Sequence, residues 1–356
     1  MNKENHLKSM KILLSVVDSD YLSNNWAEEI AKDKSLLKSV IKLAERNGLY
    51  YYFIYRLKEL GIDLSLSEEE HWKRENQRLL KLKNTISLIN KISTDYEIGY
   101  IVIKACNTIP HVPRDIDIFI RSDDRVKIIK AFKENGMKCV QKGVSETALE
   151  GDNFIRTDIY TEICYVGVNF LDKDFLFQSK VENEIFGLKY FGLSNEADLL
   201  LMLVHTLFGH RSISLLDFLH INRLRENVDI NVCRKYASER GWEMVFDLVL
   251  DELDNIFEKI NRSAEVVNFP YLFNSNFILK SISQIKGLHL KNYDKIRIHI
   301  TLAQDRVIYE LKDTPIYNLL KSINPVRNLV NSLTAWFKGR RGDRKSSSSR
   351  EVLGSK

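Results

Sequence analysis

The chain has 356 residues, 44% of them hydrophobic and 28% charged, with a formal net charge of +5. That balance suits a soluble globular protein, and a charge so mildly positive favours a phosphate-bearing ligand without marking a nucleic-acid binder by itself. Five prolines and fifteen glycines predict long helices with few breaks, and the length predicts two or three domains or subdomains. The four cysteines, Cys106, Cys139, Cys164 and Cys233, are scattered, with no CxxC pair and no histidine at zinc spacing. They are expected to be reduced and mostly buried, in a cytoplasmic protein. The longest apolar stretch, Leu199 to Val204, is far too short to span a bilayer, and the first twenty residues read as the start of a helix rather than a leader. No membrane partner is expected.

In chain order, residues 1–97 carry helical periodicity. SLLKSVIKLAERNGLYYYFIYRLKELGI places apolar residues at three- and four-residue steps, with Gly48 and Gly61 as helix stops. A second long helix follows in SLSEEEHWKRENQRLLKLKNTISLINKIS, capped by Ser65 or Ser67, with glutamates where the helix dipole favours anions. At Tyr100 the texture changes. YIVIKA reads as a strand, a loop with Pro110 and Pro113 follows, and DIDIFI is a second strand. A helix ending at Gly136, a strand MKCVQKG, a polar loop containing Gly151 and Asp152, and a long β-rich segment NFIRTDIYTEICYVGVNF complete a small α/β core over 98–190. Helical patterning returns from Leu193 and runs to about 337, starting with a Ser194-capped helix apolar on all sides and hence buried. Residues 338–356 form a basic, serine-rich tail expected to be disordered. The expected class is therefore α+β, a small mixed sheet flanked by N-terminal and C-terminal helical regions.

The chemistry concentrates in the sheet. Period-two alternation puts Ile116, Ile118 and Ile120 on one face of the DIDIFI strand, and Asp115 and Asp117 together on the other. Aspartate is depleted in strands and like charges repel, so packing alone does not account for the pair. About forty residues on, Asp158, Tyr160 and Glu162 share a face of the next acid-bearing strand. If that strand pairs near DIDIFI, the two aspartates converge with Asp158 or Glu162, Asp158 being the favoured third acid. Clustered carboxylates need cations, and Mg²⁺ binds carboxylate oxygens together with substrate phosphates, two such ions being expected here. Lys104 and Arg114 flank the loop before the strand and are placed to meet phosphate oxygens.

The succession of helical bundle, IVIKACNTIPHVPRDIDIFI, RTDIYTEI and LSNEADLLLMLVHTLFGH resembles the uncharacterised nucleotidyltransferase family of the polymerase-β-like superfamily, over roughly residues 35 to 225. The resemblance matches Lys104, Arg114, Asp115, Asp117 and Asp158 to that family's motif positions. It implies a mixed five-stranded sheet with helical flanks and Mg²⁺-dependent transfer of a nucleoside monophosphate from an NTP, releasing pyrophosphate. Most of the superfamily sets Gly-Ser or Gly-Gly after the first strand, where backbone amides cradle phosphate. Here the sequence reads Lys104-Ala105-Cys106-Asn107-Thr108. Either the side chains of Asn107 or Thr108 replace those amides or the grip on phosphate is weak. The acceptor is open among sugar phosphates, small metabolites, RNA ends and protein hydroxyls. A degenerate nucleotide- or RNA-binding module and the toxin of a toxin–antitoxin pair are the alternative readings.

His205 and His210 lie five apart, a spacing that fits no single face of an α-helix, so packing or capping is their expected role. A subsidiary expectation points His205 at the acceptor pocket, with Asp217 able to pair with either histidine. Tyr50, Tyr51 and Tyr52 are expected in the helical core rather than as a base-stacking platform, and the basic tail is expected to be solvated rather than an RNA arm.

Overall fold

The computed structural model describes residues 3–17, 26–105, 108–142, 146–165 and 169–262, and then 267, 269, 271–273, 277–278, 280–281 and 284–285. Cys106, Asn107, the expected helices toward 337 and the basic tail lie outside the described residues. Those described fall within one compact unit, Met1–Leu288.

Five helices come first: α1 (Lys3–Val17), α2 (Trp26–Lys32), α3 (Lys34–Arg46), α4 (Tyr50–Glu59) and α5 (Leu66–Tyr96). Asp33 caps α3 by accepting from the Ser35 and Leu36 amides. Gly48 (φ +74°) and Gly61 (φ +68°) follow α3 and α4 in the left-handed conformation that stops a helix cheaply. Ser65, rather than Ser67, caps α5, and Glu68 closes the capping box. Helix α1 packs on α3 and α4, burying Leu13, Leu14, Val40, Ala44, Phe53 and Ile54.

The sheet comprises β1 (Tyr100–Ile103), β2 (Asp115–Ile120), β3 (Lys138–Lys142), β4 (Glu146–Gly151) and β5 (Phe154–Tyr160), in the order β1-β2-β5-β4-β3. Only β2 and β5 run parallel. Helix α6 (Arg125–Glu134) crosses after β2. One sheet face, carrying Ile116, Ile118, Ile155 and Ile159, is buried against Leu82, Ile86 and Ile89 of α5 and Ile128 and Phe132 of α6. Covering that face leaves the odd-numbered positions of β2 for the opposite one.

The structure departs from two expectations. The polar loop around Gly151 is strand β4, whose Thr147, Ala148 and Leu149 are buried between β3 and β5. The long β segment stops at Tyr160, so Glu162 sits beyond the strand, exposed, and pairs with Lys173 of α7 (Lys173–Gln178) at 3.1 Å. A hairpin of β6 (Lys180–Ile185) and β7 (Leu188–Leu193) follows.

Helix α8 (Asn195–Val204) is capped by Ser194 and is buried from Ala197 to Val204, as its all-round apolar sequence requires. Its last turn widens into a π-helical turn over His205–His210. Beyond it lie β8 (Ser212–Ile213), α9 (Leu215–Glu226), α10 (Ile230–Glu239) and α11 (Glu243–Arg262), with β9 (Tyr271–Leu272) paired to β8. Of the described cysteines only Cys233 is buried. Cys139 is half-buried and Cys164 exposed, because each falls where a strand edge or loop meets solvent. Among the described residues no helix is long and apolar enough to cross a membrane.

Candidate active site

The parallel pairing of β2 with β5 sets Asp117 opposite Asp158 and Asp115 opposite Arg156. Residues in register on adjacent strands share a face, with strands about 4.8 Å apart. Asp115, Asp117, Arg156, Asp158 and Tyr160 therefore lie on one side of the sheet, the side that α5 and α6 leave uncovered. Asp115 is exposed at the strand start, Asp117 is half-buried, and Asp158 is buried. Of the two candidates for the third acid, Asp158 is the one the register brings beside Asp117.

Each inner carboxylate has a cation from the chain itself. Lys104, at the end of β1, pairs with Asp117 through its Nζ and lies 4.5 Å from the Tyr160 ring centre. Its backbone is left-handed (φ +57°), a conformation costing a non-glycine residue about 1–2 kcal/mol. A lysine thus adopts a glycine's geometry where the first strand ends, which aims its side chain back at the acids. Arg156 Nε donates to both carboxylate oxygens of Asp158, at 3.0 and 3.2 Å.

Burial raises the Asp117 carboxyl to about 6; Lys104 pulls it down, and Asp115 and Asp158 push it up. Asp158 is also raised, chiefly by burial, with Arg156 opposing and Asp115 reinforcing the shift. The three carboxylates therefore feel one another, and extra positive charge would relieve them. As the side chains stand, no group of three or more His, Cys, Asp or Glu is gathered to hold a metal ion among the described residues. The donor set nonetheless suits a hard divalent ion: hard carboxylate oxygens from two adjacent strands, with Lys104 and Arg156 in the counter-charge positions.

Asp115 and Asp117 floor a cleft of about 460 Å³. One wall carries Glu45, Tyr50, Tyr51, His71, Glu75 and Arg78 from α3, α4 and α5; the other carries Met202, His205, His210 and Asp217. Lys104, Arg114, Asp115 and Asp117 line it between them, Arg114 being exposed. Tyr50 stacks on His71 with ring centres 3.9 Å apart, and Tyr51 stacks on Trp72 at 4.9 Å, so the tyrosine run serves the helical wall.

Thr108 is already engaged within the chain. Its hydroxyl bonds His220 Nδ1 at 2.7 Å, and His220 Nε2 donates to Asp198 at 3.0 Å. Arg223 donates to the Thr108 and Val17 carbonyls. This buried chain of groups from α8 and α9 braces the loop that leads to β2.

Arg156, Tyr160, Tyr165, Asp198, His210 and His220 escaped the sequence reading as site residues. For the first two a signal existed: Arg156-x-Asp158-x-Tyr160 alternates onto the acid face. Tyr165, Asp198 and His220 are assembled by tertiary packing and carry no local pattern, while His210 left only its spacing of five from His205.

No family model and no curated protein matches the chain. Two solved structures resemble this one. One is the lincomycin-bound lincosamide antibiotic adenylyltransferase LnuA, at 19% identity and TM-score 0.30, covering 39% of this chain and 94% of that one. The other is the antibiotic-resistance factor ANT(2'')-Ia in solution, at 12% identity and TM-score 0.34, covering 49% of this chain and 96% of that one. Likenesses of that size carry no argument.

Proposed function

We propose that the chain is a nucleotidyltransferase that moves a nucleoside monophosphate from an NTP to a hydroxyl or phosphate acceptor, releasing pyrophosphate. The observation that supports this best is that Asp115, Asp117 and Asp158 share one sheet face, with Asp115 and Asp117 lining a cleft together with Lys104 and Arg114. Asp115 and Asp117 would hold Mg²⁺, with Asp158 completing the set once Arg156 yields. When bound, Mg²⁺ neutralises phosphate charge and polarises the phosphoryl oxygens. Lys104, released from Asp117, and Arg114 bind triphosphate oxygens by charge-assisted hydrogen bonds. The helical walls screen the reacting groups from water and orient the acceptor.

Purified protein with Mg²⁺ and each of the four labelled NTPs should release pyrophosphate. Asp117→Asn, nearly isosteric, should lower that rate by roughly 10²–10³-fold or more. Absence of release with every NTP, across hydroxylated acceptors and water, would remove the proposal. The internal pairing of Lys104 with Asp117 and of Arg156 with Asp158 favours a second reading, a nucleotide-binding module that does no chemistry. Calorimetry separates the two: tight Mg²⁺-dependent NTP binding without turnover would mark the module.

A further inference from the structure

Nucleotidyl transfer must place the acceptor's proton somewhere, and Asp158 is poorly free to take it, since both its oxygens accept from Arg156. Two histidines line the same cleft as Asp115 and Asp117. The spacing of five that separates His205 from His210 fits no α-helical face, but the chain is π-helical there. Hydrogen bonds run i to i+5 in such a turn, which brings residues five apart together. The two rings meet edge to face, with centres 4.3 Å apart. On its far side His205 is held by Tyr165, whose Oη shares a 2.9 Å hydrogen bond with His205 Nδ1. Gly209 makes the arrangement possible. A Cβ there would come within 2.8 Å of His205 Nδ1 and 3.0 Å of Tyr165 Cε1. A π-helical turn, a glycine without room for a methyl group and a tyrosine brace together fix one imidazole pair at the cleft.

The charges around the pair suit proton acceptance. Burial holds His205 well below the ordinary imidazole range, with Lys104 and His210 adding to the effect. His210 is lowered by burial and Lys104, while Asp217 and Asp115 draw it back up. Tyr165 stays a phenol because burial and Asp117 raise it. His210 is thus a neutral ring with anions nearby to stabilise the cation it becomes.

We propose that His210 is the base that receives the acceptor hydroxyl's proton, and that His205, braced by Tyr165, is the positioning residue that fixes it. This rests on the nucleotidyl-transfer reading. In the step, the acceptor oxygen gives its proton to a ring nitrogen of His210 and forms a bond to the α-phosphorus. The bond from that phosphorus to the bridging oxygen breaks, and pyrophosphate leaves with the electron pair. The imidazolium then returns its proton to solvent.

The test uses the full chain with Mg²⁺, α-labelled NTPs and water as the acceptor, following NMP and pyrophosphate from about pH 5 to 9, the span over which imidazoles titrate. His210→Gln should lower kcat by roughly 10²-fold or more, the range for loss of a general base, and leave the affinity for a non-hydrolysable NTP within a few-fold of wild type. The wild-type rate should show an acid limb below the ordinary imidazole pKa, and the limb should vanish in His210→Gln. Tyr165→Phe keeps the ring packing and should shift the limb while costing less in kcat. A His210→Gln enzyme with the wild-type kcat and limb overturns the base assignment and leaves nucleotidyl transfer standing. Should that variant fail to fold, a wild-type profile flat on the acid side overturns the assignment equally. If wild type releases no pyrophosphate from any NTP, both readings fall together.

Discussion

Asp117 is the residue whose surroundings say most. It is held by Lys104 and crowded by Asp115 and Asp158, and burial dominates, leaving its carboxyl raised from 3.8 to about 6. A carboxyl raised in the folded state binds its proton more tightly there than in the unfolded chain. Its contribution to stability is therefore complete below pH 3.8 and is lost as the pH rises through about 6. The size is at most about 3 kcal/mol, from roughly 1.4 kcal/mol per pKa unit. In chelator, urea denaturation of wild type should show this loss of stability over that window, and Asp117→Asn should show a flatter profile. Equal slopes in the two proteins would mean that Asp117 titrates like a free carboxylate. Lys104 sets the size of the effect, because it opposes burial. Lys104→Met should push the Asp117 carboxyl higher still and deepen the same decline.

At the scale of elements, the strand that carries the first two acids was legible, and so was its face, because isoleucine takes every second position of DIDIFI and only Phe119 interrupts the polar side. Helices α3, α4 and α5 were legible from period, from Gly48 and Gly61, and from the Ser65 cap. Strand β4 was not: ETALEG holds glutamate, alanine and glycine, poor strand formers, and it is a strand because β3 and β5 flank it on both edges. The end of β5 was hidden for the opposite reason, since TEICY keeps alternating after the ladder stops. The π-helical turn left only a spacing of five between two histidines, which reads as noise against a period of 3.6. Connections between elements are equally silent in sequence. Asn47, buried after α3, donates to the Leu43 carbonyl at 2.9 Å and accepts from the Leu215 amide, the first of α9, at 3.0 Å. Asn47→Ala would strand that buried N–H and should cost about 1–3 kcal/mol in urea denaturation. Because α3 and the start of α9 belong to opposite walls of the cleft, the same variant should also weaken NTP binding. A stability loss under about 0.5 kcal/mol, the scale of an ordinary surface change, would show that the tie between the walls carries little.

For the molecule as a whole, the cleft matters because its lining comes from three stretches of chain that are remote in sequence: Glu45 to Arg78, Lys104 to Asp117, and Met202 to Asp217. These surfaces coincide only in the folded state, so a ligand that needs all of them binds the native chain alone. Such a ligand stabilises by an amount that grows with the logarithm of its concentration, about 2.7 kcal/mol at a hundred times its Kd. With Mg²⁺ and a non-hydrolysable NTP, the urea midpoint of wild type should therefore climb with ligand concentration at constant denaturant slope. Arg114→Ala, a change at an exposed side chain, should leave the ligand-free midpoint nearly unmoved and shift the climb to higher concentrations. Hydrogen exchange locates the effect. Protection should increase in the loop before β2, in the facing turns of α4 and α5, and over 205–217 together, since one ligand closes on all of them. Protection confined to the loop before β2, with both helical walls unchanged, would mean that triphosphate binds at the acids while the cleft above stays unfilled. In that event the walls would be scaffold, and neither the acceptor site nor the histidine pair could act where the cleft places them.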